Sequence, residues 1–143
     1  MNKYHNNKKI VNGIKFDSKM EADYYRYLLQ EKQAGRVLRI GLQPKVELQP
    51  SFRLNGELFK AITYTPDFIV EYAGGVVRYI DVKGTDTQQG RLKYKMYKYI
   101  SEHGRNGIEL VWVAKSKKYS NTGWIDWFEL QKIRRNNRKG KAK

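Results

Sequence analysis

Two aspartates and one lysine stand at spacings that would let them share a site. Asp67 follows a proline, and fourteen residues later Asp81 opens the sequence Asp-Val-Lys-Gly, which places Lys83 two positions after it. Residues two apart on a β-strand project from the same face, so Asp81 and Lys83 point the same way if they lie on a strand. Carboxylates beside a lysine suit divalent-cation binding and phosphodiester chemistry.

The loop between the two predicted strands decides whether the aspartates share a face. A two-residue turn would place Asp67 opposite Val82, and the two acids would then point to opposite faces. A three-residue loop at residues 73–75 places Asp67 directly opposite Asp81. The two glycines of this loop suit the left-handed backbone conformation that such loops require. A bulge beside the proline would have the same effect. We therefore predict an odd-length loop or a bulge.

Two carboxylates that face each other across a strand pair repel unless a cation lies between them. Magnesium binds carboxylate and carbonyl oxygens and shares its sites with substrate phosphates. We predict that Asp67, Asp81 and the backbone carbonyl of Val82 hold Mg²⁺, with Mn²⁺ as a substitute. Lys83 would orient a water or offset charge on the phosphorane. The alternative is a structural role, in which Asp67 belongs to a turn and Asp81–Lys83 is an exposed ion pair.

The flanking sequence predicts the elements that position these residues. Ser18 and Glu21 have the spacing of a capping box, followed by apolar residues at helical spacing. Asp126 is a candidate N-cap for a last helix. The predicted helices cover residues 18–34, 91–103 and 124–135. The predicted strands cover residues 37–42, 46–52, 58–64, 67–72, 76–82 and 108–113. This order predicts an α/β (α+β) fold with a central mixed β-sheet flanked by helices.

The net charge of +15 is concentrated at the two ends of the chain. Residues 1–15 carry four lysines and no acid, and residues 132–143 carry seven basic residues and no acid. We interpret them as a basic N-terminal arm and a basic C-terminal tail on a single domain, residues 16–131. Basic arms indicate binding to a nucleic-acid backbone, although a solubilising tail is the alternative. The DNA-binding candidates in the tail are Arg134, Arg135, Arg138 and Lys139.

The remaining composition excludes several kinds of site. The sequence has no cysteine, which removes disulfides, thiolate nucleophiles and cysteine zinc sites. Its two histidines, His5 and His103, are too few for a histidine-based metal site. No apolar run approaches the roughly 20 residues of a membrane span, and no hydrophobic signal core is present. We expect an intracellular, cytoplasmic protein.

The residues around both aspartates resemble the PD-(D/E)xK nuclease superfamily. YTPDF at residues 64–68 and DVKG at residues 81–84 are similar to the phage endonuclease I group of Holliday-junction resolvases. FDSKME at residues 16–21 is similar to small phage-encoded proteins of the same superfamily. The resemblance covers about residues 12–115. It implies a restriction-endonuclease-like core and a magnesium-dependent endodeoxyribonuclease, encoded by a phage and active in the host cytoplasm.

The resemblance also implies a substrate and further site residues. A resolvase makes two symmetric cuts in a four-way junction, which implies a homodimer. The superfamily adds an acid from the first helix, and Glu21 is in the matching place, although the capping box alone would account for it. A helix residue after the Asp-x-Lys strand commonly meets the phosphate, and Lys93 and Lys95 are the candidates. Their alternative is a solvated helix face.

Other functions stay open at this point. One is a nicking, repair or DNA-degrading nuclease on the same core, which would cut linear duplex as well as a junction. Another, of a different class, is a non-catalytic basic protein that binds DNA or RNA as an accessory, in which the acids are structural. In such a protein, replacing Asp81 would leave binding unchanged and would have no activity to remove.

Overall fold

The computed structural model describes residues 9–104 and 107–141. Residues 1–8 of the predicted basic arm, with His5, and residues 142–143 of the tail lie outside the described residues. In chain order the elements are β1 (Ile10–Val11), β2 (Ile14–Lys15), α1 (Lys19–Gln33), β3 (Val37–Leu42), β4 (Val46–Gln49), β5 (Phe52–Leu54), β6 (Glu57–Phe59), β7 (Ile62–Tyr64), β8 (Phe68–Tyr72), β9 (Val77–Val82), α2 (Gln88–Glu102), β10 (Glu109–Lys115), β11 (Trp124–Asp126) and α3 (Trp127–Lys141).

Five strands form a central mixed sheet in the order β11-β10-β9-β8-β3. The β9–β10 pair is parallel and the other three neighbouring pairs are antiparallel. The connection from β9 to β10 carries α2, as a parallel crossover requires. The predicted mixed α/β architecture, with a mixed sheet and flanking helices, is confirmed at this level.

The helices cover both faces of this sheet. On one face, α1 packs through Ala22, Tyr24 and Leu28 against Phe68 and other side chains of the hairpin. On the other face, α2 and α3 pack against a second cluster, whose fully or largely buried members include Tyr79, Tyr97, Leu110, Trp112, Trp127 and Leu130. The alternation of sides along β8 and β9 therefore follows the period-two pattern of the sequence.

The first helix begins and ends where the sequence predicts. Ser18 is the N-cap residue, and its Oγ accepts a hydrogen bond from the Glu21 N–H at 3.1 Å. Gly35 follows the helix with a φ of 83°, a conformation that glycine adopts without a Cβ clash. The predicted helix over residues 18–34 is thus confirmed, and it fixes Glu21 in the first turn.

Two predicted strands were too long, because each is divided between two ribbons. The predicted strand 46–52 is β4 followed by the start of β5, and Pro50, which has no N–H for a ladder, lies at the break. The predicted strand 58–64 is part of β6 followed by β7, with the break at residues 60–61. As a result β4 pairs with β7, and β5 pairs with β6 in a separate ribbon.

The other two helices differ from their predicted bounds. α2 begins at Gln88, three residues early, because the Thr87 Oγ1 accepts a hydrogen bond from the Gly90 N–H at 3.0 Å. Residues 124–126 are strand β11 rather than helix, since they pair with the end of β10. The predicted cap is confirmed, because Asp126 Oδ1 accepts from the Glu129 N–H at 3.1 Å. α3 then continues to Lys141 instead of ending at residue 135, although Asn136, Asn137 and Gly140 have low helix propensity.

Within the described part of the chain, each helix is too short and too polar to cross a lipid bilayer.

Candidate active site

The hairpin of β8 and β9 closes on the predicted three-residue loop, residues 73–75, because Tyr72 pairs with Val76. The Tyr72 N–H donates to the Val76 carbonyl at 2.8 Å, and the Gly75 N–H donates to the Tyr72 carbonyl at 3.1 Å. Gly74 and Gly75 have φ values of 96° and 95°. The ladder that follows pairs Glu71 with Val77 and ends with Phe68 opposite Ile80. Continued by one residue, the same register places Asp67 opposite Asp81, as the odd-length loop predicts.

The two aspartates form an acidic pair in which Asp81 is buried and Asp67 is half-buried. Asp81 is the one charged side chain among the described residues that is classed as buried, with 6% exposure. Asp67 Oδ2 accepts a hydrogen bond from the Val82 N–H at 2.8 Å. Burial, followed by the hydrogen bond to Asp81 and the negative charge of Asp81, raises the pKa of Asp67 well above its ordinary value. Two carboxylates in this relation hold either a proton or a cation between them.

Pro66 determines whether the carbonyl of Val82 has a hydrogen-bond donor opposite it. The same register places Pro66 opposite Val82, and a strand residue directs its N–H and its carbonyl to the same side. The Val82 N–H is directed to β8, where it meets the Asp67 carboxylate, so its carbonyl also faces β8. Because proline has no N–H, β8 offers this carbonyl no ladder hydrogen bond at that position. The Pro-Asp sequence therefore supplies a carboxylate and keeps a neighbouring carbonyl available to a ligand.

A hydrogen-bond chain holds Asp81 from the helix α2 side of the sheet. The Tyr64 hydroxyl donates to Asp81 Oδ2 at 2.5 Å, and the Trp112 Nε1 donates to the Tyr64 hydroxyl oxygen at 3.0 Å. Burial, followed by the charge of Asp81 and the hydrogen bond to it, raises the pKa of Tyr64, so Tyr64 stays protonated as a donor. Tyr64 lies within the motif around Asp67, but the motif alone does not predict these contacts, because Asp81 and Trp112 are distant in the sequence.

Lys83 lies beside Asp81, as the period of a strand requires. Its Nζ is 3.0 Å from Asp81 Oδ2 and 4.8 Å from the centre of the Trp112 ring. The Lys83 side chain is only 23% exposed, and its backbone N–H donates to the Val113 carbonyl at 2.8 Å. The ammonium group is therefore fixed between the acid pair and the first turn of α2, where a Cβ added at Gly90 would be 3.9 Å from it.

Glu21 approaches the pair from the α1 side of the sheet. It lines a small cavity of about 90 Å³ together with Asp67. Burial and the charge of Asp17 raise the pKa of Glu21, the hydrogen bond with Ser18 lowers it, and the charge of Asp81 raises it again. Glu21 also contributes to the raised pKa of Asp67. Both its backbone N–H and its carboxylate interact with Ser18, so Glu21 takes part in the helix cap while its charge also acts on Asp67.

The carboxylates of Asp67, Asp81 and Glu21 are not close enough together to surround a metal ion. Among the described residues, no group of three acidic, histidine or cysteine side chains is arranged closely enough to hold a metal ion. Asp67 and Asp81 form the pair, and Glu21 lies at its edge. The donor atoms nevertheless fit a hard divalent cation, because they are carboxylate and carbonyl oxygens.

A cleft of about 390 Å³ opens beside Asp81 and Lys83. The end of β7 and the first turns of α2 form its walls, and it is lined by Thr63, Tyr64, Thr65, Asp81, Lys83, Thr87, Gln89, Gly90 and Lys93. Lys93 and Lys95, the two lysines predicted to contact phosphate, therefore lie in different grooves. Lys93 lines the cleft, whereas Lys95 lines a different groove with Arg91 and Asp86.

The basic candidates of the C-terminal tail lie on a helix. Residues 134–140 of α3 are exposed, and they include Arg134, Arg135, Arg138 and Lys139. None of these four residues lines the cleft beside Asp81. Any contact that they make with a nucleic acid is therefore separate from the residues that surround the acid pair.

A family model matches residues 1–121, which is most of the chain. The chain belongs to this family, described as a protein of unknown function (DUF1064). No curated protein and no solved structure matches it. The DUF1064 match includes the acid pair, Lys83, Glu21 and the whole of α2 and β10, and it ends before β11 and α3. The candidate site is therefore part of the family region, whereas the basic helix α3 follows it.

Proposed function

We propose that this protein is a metal-dependent DNA endonuclease that hydrolyses phosphodiester bonds with a PD-(D/E)xK-type site on a restriction-endonuclease-like core. The observation that supports this most strongly is the geometry of one hairpin. Its register places Asp67 opposite Asp81, and Lys83 lies 3.0 Å from the Asp81 carboxylate. A structural ion pair would explain Asp81 and Lys83, but it would not explain a second, half-buried carboxylate beside them.

Each residue of the site has a role in this proposal. Asp67, Asp81 and the Val82 carbonyl would hold Mg²⁺, or Mn²⁺ in its place, with Glu21 assisting from α1. The cation supplies Lewis-acid activation of the phosphodiester and of a water. Lys83, held between Asp81 and the cleft, orients the attacking water or offsets negative charge on the phosphate. Tyr64 keeps the Asp81 carboxylate in one orientation.

The substrate proposed is branched DNA, such as a four-way junction. Lys93 in the cleft and the basic residues of α3 would contact phosphates, and such contacts carry no sequence information. Selection by DNA structure is therefore favoured over selection by sequence. Two symmetric cuts would require a homodimer. We place this activity in the cytoplasm of a cell that carries the encoding phage.

The cleavage test compares three DNA substrates. A four-way junction, a linear duplex and a supercoiled plasmid are incubated with Mg²⁺, Mn²⁺ or EDTA, and products are resolved on gels. We expect cutting only with metal, preferentially of the junction, and loss of at least about 100-fold in rate for Asp81→Asn. The matched control is Glu109→Gln, an exposed acid at the start of β10. If the protein cuts none of the three substrates with either metal, the proposal is wrong. If it binds DNA without cutting it, the non-catalytic accessory protein is favoured.

Thermal unfolding gives an independent test of the acid pair. Asp67→Asn keeps an acceptor for the Val82 N–H and removes a carboxyl group that must take up a proton when the chain folds at neutral pH, because its folded pKa is raised. We expect its melting temperature in EDTA to exceed that of the wild type by a few °C, which corresponds to about 1 kcal/mol. Mg²⁺ should raise the melting temperature of the wild type and leave that of Asp67→Asn unchanged. Equal responses of the two proteins to Mg²⁺ would exclude Asp67 as a ligand.

A further inference from the structure

The β5–β6 ribbon carries apolar side chains in solvent. Every residue from 51 to 60 is exposed, and four of them are large and hydrophobic. Phe52 is 43% exposed, Leu54 58%, Leu58 49% and Phe59 38%. Scattered exposed hydrophobic residues are common, but four on one short ribbon form a patch, and such patches usually mark an interaction site.

The ribbon has a fixed shape. Its three residue pairs close on a turn at Asn55 and Gly56, whose φ values of 52° and 79° are those of a type I′ turn. The rings of Phe52 and Phe59 stack across the strands, with centroids 4.9 Å apart and planes 7° apart. A preformed ribbon loses little conformational entropy when it binds, so its shape suits recognition.

The apolar side chains point to both faces of the ribbon. Phe52, Leu54 and Phe59 share one face, whereas Leu58, the partner of Arg53, is on the other. A second copy packed on either face would leave the opposite side uncovered. One face of two three-residue strands also covers on the order of 100–200 Å², far below the roughly 800 Å² that each partner buries in a stable interface. Self-association therefore fits this ribbon poorly.

An occupant that surrounds the ribbon on both sides fits it better. Bases that have lost their stacking partners offer apolar surfaces above and below an inserted side chain. Arg53 and Lys60 lie beside the leucines and Glu57 is the one acid, so the charge of the ribbon, like the +15 of the whole chain, suits a polyanion. We propose that the β5–β6 ribbon is a wedge that enters DNA at a branch point, which rests on the proposed function.

The ribbon is connected directly to the candidate cleft. β6 leads within a few residues to β7, whose end supplies Thr63 and Tyr64 to the cleft wall. Leu58 precedes Tyr64 by six residues, so it reaches at most about 20 Å from it along an extended chain. That distance corresponds to about six base-pair rises of duplex DNA. The wedge is therefore close enough to contact a branch point while the acid pair acts on a phosphate no more than about six base pairs away.

The test replaces the two leucines that lie on opposite faces. Leu54→Ser/Leu58→Ser is compared with wild type, with Leu54→Met/Leu58→Met and with Leu38→Ser, a control on β3 at 48% exposure. Binding to a four-way junction and to a linear duplex is measured by fluorescence anisotropy in EDTA, where no cleavage occurs. A second junction carries 2-aminopurine at its branch point, and its fluorescence rises when the base unstacks.

The serine double variant should raise the junction Kd by about 10-fold or more and should abolish the fluorescence rise. Its duplex Kd should stay within about 2-fold of wild type, since phosphate contacts are unchanged. The methionine double variant and Leu38→Ser should behave as wild type. Circular dichroism checks that each variant is folded, and light scattering compares their masses.

Three results would overturn the wedge. An unchanged junction Kd for the serine variant would exclude the wedge. An equal loss of affinity for junction and duplex would make the ribbon a general DNA contact. A lower mass for the serine variant would make the ribbon a contact between two copies. Failure of the wedge is distinguishable from failure of the endonuclease. A wild type that binds junctions without cutting contradicts only the endonuclease, and a serine variant that binds and cuts normally contradicts only the wedge. A wild type that binds no DNA contradicts both.

Discussion

Asp81 is held by two donors of different character. Tyr64 is a neutral donor fixed by Trp112 behind it, and Lys83 is a charged donor that faces the cleft. Both contact Oδ2 of the carboxylate. In metalloenzymes, residues that hold a ligand in position commonly affect metal affinity or activity by 10–100-fold when they are replaced. Tyr64 has this position relative to the proposed metal ligand.

Removing the Tyr64 hydroxyl should therefore affect metal use before DNA binding. We expect Tyr64→Phe to lower kcat by about 10-fold or more and to raise the Mg²⁺ concentration for half-maximal cleavage, with KM for DNA near that of wild type. The Trp112 Nε1 and Asp81 each lose a partner, so unfolding should require about 1–3 kcal/mol less. Cleavage rates against Mg²⁺ concentration and urea unfolding measure both effects.

The control for this variant is Tyr119→Phe. The Tyr119 hydroxyl accepts a hydrogen bond from the Asn137 side chain at 2.9 Å in an exposed position. Its loss should change neither the Mg²⁺ dependence nor, by more than about 0.5 kcal/mol, the stability. An unaltered Mg²⁺ curve for Tyr64→Phe would mean that Tyr64 only fills the core.

The sequence predicts the acid pair but not the residues that hold it. Asp67, Asp81 and Lys83 follow from a period of two and from a loop of known length, which are local rules. The Tyr64–Asp81 and Trp112–Tyr64 bonds join residues 17 and 48 positions apart. Such contacts depend on how β7 packs in the core cluster that contains Trp112, and no local pattern in the sequence encodes that packing.

Among the helices, α1 is joined to the sheet by an ion-pair cluster at Asp23. The Asp23 carboxylate contacts Arg26 at 2.8 Å and Lys19 at 3.2 Å on α1, and Lys115 at 2.9 Å on β10. Partial burial raises the pKa of Asp23, but the hydrogen bonds and charges of Lys115 and Lys19 outweigh it, so the pKa is lowered overall. A lowered pKa means that the folded state favours the charged form.

This cluster should make a pH-dependent contribution to stability. Because the folded pKa of Asp23 lies below its ordinary 3.8, the contribution is full above that value and is lost as the pH falls through the folded pKa. We expect Asp23→Asn to lower the free energy of unfolding by about 1 kcal/mol at every pH between about 5 and about 7. Below about pH 4 the difference in this free energy between the variant and the wild type should shrink. Urea unfolding across this range measures it, with the exposed Glu57→Gln as control. A difference that persists unchanged in acid would point to packing rather than charge.

Elements with local signals were predicted well, and elements defined by distant partners were not. The N-cap of α1 and the β8–β9 loop are encoded by residues that touch each other. The sequence predicts the start of a helix at β11, because Trp124 and Ile125 also fit a helical face, and only their pairing with β10 makes them a strand. The separate β5–β6 ribbon was hidden for the same reason, since Pro50 alone gave a weak indication of the break.

The distribution of charge concerns the whole molecule. The described end of α3 is exposed and basic, and residues 134–143 contain six basic residues and no acid. The buried residues of this helix, Trp127 and Leu130, lie before that segment. The segment can therefore contribute to binding a polyanion without contributing much to the core.

Truncation after residue 133 should change how DNA binding depends on salt. Each lost phosphate contact reduces the slope of log K against log[salt] by about 0.9, so six basic residues give a reduction of up to about 5. The free energy of unfolding should change by less than about 0.5 kcal/mol. The measurement is the Kd for a junction at KCl concentrations from about 50 to about 300 mM, a range that is wide enough to resolve such slopes. Lys117→Gln/Lys118→Gln, on exposed residues, is the comparison, and an unaltered slope after truncation would exclude α3 from the interface.

The two outer strands of the central sheet have a consequence for behaviour at high concentration. β3 forms one edge, and it carries an irregular register between Val37 and Arg39 and an Arg39 side chain that is 84% exposed. β11 forms the other edge and has only three residues. Bulges, charges and short lengths are features that stop sheets from joining edge to edge. We therefore expect concentrated solutions to resist fibril formation, because neither edge offers a neighbouring molecule a long, regular row of free backbone groups.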